Sequence, residues 1–304
     1  MSTFLMRPKI DFAFKEIMMN EDARVGFLSA VLKLNPADIK ETQLLNSYLR
    51  KVHEKDKLGI LDVRVRMNNN TEIDIEINLS ELAVWADRSL FYLSKMYTEQ
   101  INAGQDYTVF KKCVSISILD FVLFKDAPNF YSCFHLREDT RGTIYTDKME
   151  FHVIELPKLP EGLMDDNRDI LLWAKFINAE GKEEFDMLAT ENPYIKSAYK
   201  TLQVISQDDE KRMEYEAREK AVRDYNQGML EATARGWEAG EKAGREEGIK
   251  EGIKAGREEG IKESMRAIAR NMLAMGLPVD IVSKATGLSV EELENLPPET
   301  IPQE

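Results

Sequence analysis

The clearest alternation of polar and apolar positions is EIDIEIN, Glu72 to Asn78. Isoleucines take every second position, and Glu72, Asp74, Glu76 and Asn78 lie between them, the period-two pattern of a strand with one apolar face. The preceding ILDVRVRM alternates in the same way. The NNN between them predicts a hairpin, because asparagine tolerates the left-handed backbone that a three-residue loop needs. Helical spacing appears in KIDFAFKEIMM and EDARVGFLSAVLKL, and again in AVWADRSLFYLSKMYTEQINAG, which Gly104 closes. Lys40 to Lys57 reads as irregular. KKCVSISILDFVLF is mostly apolar, as a strand covered on both faces would be. NFYSCFHLRE and MEFHVIELPKL predict a further strand pair, and residues 166 to about 206 read as mixed helices, including DILLWAKFINA. This order of helix, strands, helix and strand implies an α/β sandwich.

From about Gln207 the pattern becomes charged and helical. Glycine then recurs at every fourth position from Gly236 to Gly260, and AGREEGIKE occurs twice. Each mid-helix glycine costs about 1 kcal/mol against alanine, so the segment is either a flexible tether or a helix ordered by close packing on its glycine stripe. The helical spacing of Glu246–Lys250 and Glu258–Lys262 favours a self-associating helix. The last stretch, MRAIARNMLAMGLPVDIVSKATGLSVEELENL, predicts three short helices with Ser289 and Glu292 at capping-box spacing. Its outline is that of a helix-turn-helix, but the acidic VEELENL lacks the arginines and lysines that hold phosphates. Packing or oligomer contact is therefore favoured over DNA reading. These shifts predict domains at 1–206, 207–263 and 264–304, the first α/β and the rest an all-helical C-terminal extension.

Composition narrows the class. No apolar run of membrane-spanning length occurs, and charges interrupt the N-terminal stretch where a signal peptide would be apolar, so a soluble, unexported, cytoplasmic protein with no membrane partner is expected. Cys113 and Cys133 make no disulfide framework, Cys113 reads as a core residue, and His53, His135 and His152 show no ligand spacing. The net charge of −13 is unevenly spread: residues 1–125 hold 17 basic and 17 acidic residues, the remainder 24 and 37. A basic surface on the first part is allowed.

If the asparagines form the loop, facing hairpin residues have numbers summing to 138. Arg66 then faces Glu72 and Arg64 faces Asp74, both ordinary cross-strand pairs. Asp62 faces Glu76 with no cation opposite, a repulsion of about 3 kcal/mol at an effective dielectric near 20. Either the face is simply wet, or a protonated carboxyl or a hard divalent ion relieves it.

Asp on one strand followed by Glu-x-Asn on the next resembles the signature of the PD-(D/E)XK nucleases. More closely, DFAFKEI, LDVRV, IEIN, FYLSKMYTEQINAGQDY, SISILDF and HVIELPKL, with the glycine repeat and the GLPVDIVSKATGLSVEEL tail, resemble the Rpn family of recombination-promoting nucleases and transposases. The resemblance implies a restriction-endonuclease-like core, a mixed sheet flanked by helices. It implies a metal-dependent DNA endonuclease of low sequence specificity that uses Mg²⁺ or another divalent cation such as Mn²⁺ or Ca²⁺. Asp62 and Glu76 match the metal-binding carboxylates, and Asp11 completes the cluster less directly. Asn78 stands where the family has Gln or Lys, so its reach is shorter and Lys95 is a candidate substitute, though it also reads as a solvated lysine. Arg88 and Tyr92 fit DNA contact, or equally a salt bridge and a core ring. The rival reading is a weak or inactive nuclease-fold scaffold that oligomerises through residues 207–263.

Overall fold

The asparagine turn closes as its sequence requires. Asn70 takes the left-handed conformation, φ 62°, and β2 (Val63–Met67) pairs antiparallel with β3 (Glu72–Asn78). Arg64 lies opposite Asp74 and Arg66 opposite Glu72, the expected register. The structure, a computed structural model, describes residues 4–49, 60–81, 84–163 and 166–296. β1 (Thr42–Leu45) flanks β2 on its other side, within the stretch read as irregular. Four residues are too few for alternation to show. Residues 50–57 of that stretch lie outside the described residues.

β3 runs parallel to β4 (Cys113–Leu119), and β4 runs parallel to β6 (Ile144–Glu155). β5 (Tyr131–Arg137) closes the far edge antiparallel to β6, giving the order β1-β2-β3-β4-β6-β5. All of β4 is buried, which explains its unbroken apolar run. Side chains alternate across the sheet, so its two faces differ in character. Ile73, Ile75, Ile77, Val114 and Ile116 join one apolar core with α1 (Asp11–Met19), α2 (Glu21–Leu32), α4 (Arg168–Asn178), α5 (Lys182–Glu191) and α6 (Pro193–Ser206). The other face carries Glu72, Asp74 and Glu76 and is covered by α3 (Trp85–Thr98), whose Leu93 and Met96 meet Cys113.

α7 (Asp209–Ala274) begins inside this unit. Tyr215 is buried in the main core, and its hydroxyl accepts the Arg7 N–H at 3.1 Å. Arg7 also pairs with Glu219, and Lys211 with Glu16. The compact unit therefore ends at Asn226, past the boundary expected at 206, and a second unit spans Gln227–Glu304. A charged helical sequence gave no sign that its first turns bury one aromatic face.

In the second unit the helix is continuous through the glycine repeat. A Cβ added at any glycine from Gly236 to Gly260 would meet nothing within 4 Å. The first of the three short tail helices is instead the end of α7. α8 (Val279–Thr286) and α9 (Val290–Glu294) fold onto it through Ala269, Val282, Leu288 and Leu293. Gly287 makes the turn at φ 71°, and the Ser289–Glu292 capping box forms. No described helix is long and apolar enough to cross a membrane.

Candidate active site

Where the hairpin opens, side chains take over from backbone pairing. The Asp62 N–H donates to Glu76 Oε1 at 2.9 Å, and the Ile77 N–H donates to Asp62 Oδ2 at 3.1 Å. The two carboxylates are thereby locked side by side. With Asp11, Asn78 and Arg88 they line a cleft of about 300 Å³, to which α7 adds Arg218 and Tyr225.

Two cations that the strand register could not reveal come from helices. Lys15 Nζ lies 3.2 Å from Asp62 Oδ1, and an Arg88 Nη lies 3.6 Å from Glu76 Oε2. The expectation that no cation answers this pair is corrected accordingly. They do not neutralise the site. Burial first, and then the Asp62 charge, push Glu76 up to about 8.

The acid left alone is the one expected to be paired. Arg64 reaches diagonally to Glu72 at 2.7 Å and on to Glu99 at 3.3 Å, passing over Asp74, which stands directly opposite it. Asp74 is fully buried, and among the described residues neither of its oxygens has a hydrogen-bond partner. The same holds for the hydroxyl of Ser115, its neighbour on β4. Burial, then Glu76 and Asp62, hold the Asp74 carboxyl well above the ordinary range.

The remaining expected residues divide. Asp11 lies in the cleft at the start of α1. Asn78 is there too, but its Oδ1 accepts the Ser80 N–H at 3.1 Å and serves the turn. Tyr92 is 7% exposed and packs as a core ring with Leu93 and Met96. It stacks under the Arg88 guanidinium at 5.2 Å, with Trp85 also against that group at 5.4 Å. Tyr92 therefore positions Arg88, which points at the acids. Lys95 does not line the cleft; its ammonium lies 5.9 Å over the Phe91 ring. Lys15 is the lysine beside the acids, and its spacing of four from Asp11 on one helix was a usable signal. Arg218 and Tyr225 had no signal, since nothing in the sequence ties α7 to the hairpin.

Cys113 is a core residue, as expected. The histidines correct a different expectation: His135 and His152 are brought together with Cys133 and Glu150 on the opposite face of the sheet. Cys133, Glu150 and His152 form a group able to hold a metal ion.

A mixed six-stranded sheet, flanked by helices and carrying acids at the open end of one hairpin, defines an α/β fold of the PD-(D/E)XK nuclease type. The sequence model for the PD-(D/E)XK nuclease family transposases matches residues 8–232, and the chain belongs to that family. Residues 262–298 match the C-terminal HTH domain of the Rpn/YhgA-like nuclease family. No curated protein and no solved structure matches the chain. Its function is of the nuclease type. The helix-turn-helix outline read from the tail sequence agrees with the match over residues 262–298.

Proposed function

We propose that the chain is a metal-dependent endonuclease that hydrolyses DNA phosphodiester bonds with little sequence preference and serves recombination or transposition. The observation that carries this reading is the locked Asp62–Glu76 pair in a cleft with Asp11. The donors are all oxygens, and burial with like charge raises Glu76 to about 8, so the site fits a hard divalent ion such as Mg²⁺, Mn²⁺ or Ca²⁺. Asp62 and Glu76 would hold it, with Asp11 beside them. Bound there, the ion supplies Lewis-acid polarisation of the phosphate and acidifies a water.

The chain's own groups do the rest. Lys15 and Arg88 pair with these acids and, with an ion held there, would be placed to meet phosphate oxygens. Trp85 and Tyr92 keep the Arg88 guanidinium in one orientation. Arg218 adds a third cation to the cleft. Asn78 offers its amide N–H groups and one remaining lone pair, its oxygen already accepting the Ser80 N–H. The helix-turn-helix domain supports DNA as the partner, and its acidic last helix fits weak base selectivity.

Nicking of supercoiled plasmid tests this. The full chain should nick with Mg²⁺ and not in EDTA, and Asp62→Asn or Glu76→Gln should lose about 10²-fold or more, at least the effect of removing an outer partner of a metal ligand. Equal nicking by the wild type and both variants would move the site elsewhere. A second reading, a scaffold that assembles through residues 207–263, is favoured by the bare glycine face of α7. A folded chain with no Mg²⁺-dependent nicking would leave that reading standing.

A further inference from the structure

Two related tripeptides meet at the far edge of the sheet: CFH, Cys133 to His135 on β5, and EFH, Glu150 to His152 on β6. The register sets Cys133 opposite His152 and His135 opposite Glu150. Alternation then puts all four side chains on one face. His152 lies in the same row as Ile116 and Ile75, so this face is the one opposite Asp74 and Glu76. The cluster is thus separate from the acidic cleft.

Its atoms converge. Glu150 Oε1 is 2.7 Å from His152 Nε2 and 3.8 Å from Cys133 Sγ. His135 bridges the other side, with Nδ1 3.9 Å from Cys133 Sγ and Nε2 3.4 Å from Glu150 Oε2. His152 Nε2, on a ring only 2% exposed, aims into the cluster and lies directly against Glu150 Oε1. The buried ligands are also held from behind. The Tyr131 hydroxyl lies 2.7 Å from His152 Nδ1 and 3.4 Å from the Val31 carbonyl. With the ring proton on Nδ1 and donated to Tyr131, the Nε2 lone pair would be available to an ion. The Lys112 ammonium pairs with Glu150 Oε2 and leaves Oε1 for the cluster. Such outer partners fix the orientation and tautomer of metal ligands.

We propose that Cys133, His135, Glu150 and His152 form a structural Zn²⁺ site that clamps edge strand β5 to β6. One sulfur, two imidazole nitrogens and one carboxylate oxygen form a set that zinc takes tetrahedrally and that Mg²⁺ or Ca²⁺ does not. Zinc bonds of 2.0–2.3 Å set donors roughly 3.3–3.8 Å apart; the Cys133, Glu150 and His152 donors already lie within 4.8 Å of one another, and His135 joins them by turning its ring so that one nitrogen faces the ion. Binding forms one Zn–S, two Zn–N and one Zn–O bond. The Cys133 thiol proton goes to solvent, and nothing is oxidised or reduced. Cys133 is exposed, which gives the ion its way in. The clamp lies just before the irregular pairing at His135–Arg137, where the edge strand would otherwise slip most readily.

The test uses the full chain stripped with EDTA and then given one equivalent of Co²⁺. The wild type should develop a thiolate-to-cobalt charge-transfer band that Zn²⁺ abolishes, and Zn²⁺ should raise the melting temperature by about 5 °C or more. Cys133→Ser and His135→Asn, at accessible positions where folding is preserved, should each lose the zinc-dependent shift. Cys133→Ser should also lose the band. Glu76→Gln should keep the band, because the acidic cleft offers no sulfur. A wild type without the band, a band that survives Cys133→Ser, or a zinc shift unchanged in both cluster variants overturns the proposal.

Discussion

Asp74 is the fully buried acid of the sheet's acidic face, and its charge is disfavoured from several sides. Among the described residues its carboxyl oxygens have no hydrogen-bond partner, and the charges of Glu76 and Asp62 add to the penalty. Both Asp74 and Glu76 have folded-state pKa values raised above the ordinary carboxylate range, Glu76 to about 8 from 4.5. Across that window the native chain holds protons that the unfolded chain has released, so stability falls as pH rises. In EDTA the melting temperature should therefore decline between about pH 5 and pH 8, Mg²⁺ should restore more of it at the upper end, and Asp74→Asn should flatten the slope. A level profile in the wild type would mean that the acids are solvated and the burial argument fails. Glu76→Gln should keep the hydrogen bond from the Asp62 N–H and lose nicking without a lower melting temperature in EDTA. Asp62→Ala, by contrast, strands the Ile77 N–H and should cost about 1 kcal/mol as well as activity.

At the scale of elements, two helices aim different groups at one hairpin. α1 brings Asp11 to the cleft and, one turn on, Lys15 to the Asp62 carboxylate. α3 brings Arg88, which Trp85 and Tyr92 hold, while Lys95 faces away. Lys15→Ala should therefore lower the nicking rate about 10²-fold, the size of one preorganised transition-state donor, whereas Lys95→Ala should leave it within a factor of about two, since a half-buried lysine over the Phe91 ring touches no group of the cleft. The reverse order in plasmid assays would restore Lys95 to the site. The glycine face of α7 makes a separate prediction. Replacing Gly244, Gly248, Gly252 and Gly256 with leucine raises helix propensity by about 1 kcal/mol per site and removes the close-approach surface. Sedimentation should show weaker self-association in that variant, and equal association would mark the segment as a spacer.

For the whole molecule, the decisive feature is that α7 completes the nuclease unit. Tyr215 sits in the main core beside Phe4, and Asn226 Oδ1 accepts from the Ser80 hydroxyl at 2.7 Å. A chain ending at 226 should fold, while one ending at 206 lacks a buried aromatic, a loss of about 3–5 kcal/mol by analogy with core truncations, and should melt many degrees lower. Equal melting of the two would show that the start of α7 is only an appendage. The family match to residues 8–232 agrees with the longer unit.

The hairpin, its register and the burial of β4 were legible in the sequence because each depends on local rules: period-two alternation, asparagine in a tight loop, and an unbroken apolar run. The Asp62–Glu76 pairing followed from that register alone. Three things did not follow. Lys15 and Arg88 reach the acids from helices whose docking depends on the packing of apolar faces far from the charges. Arg64 prefers the diagonal Glu72 and Glu99 to its direct partner, a choice set by side-chain reach and burial, which orphans Asp74. Cys133, His135, Glu150 and His152 gather only because β5 pairs with β6 in one register across an intervening loop. Local backbone rules act over a few residues and can be read along the chain. Which distant charges share a buried space depends on how layers stack, and only the tertiary structure decided it.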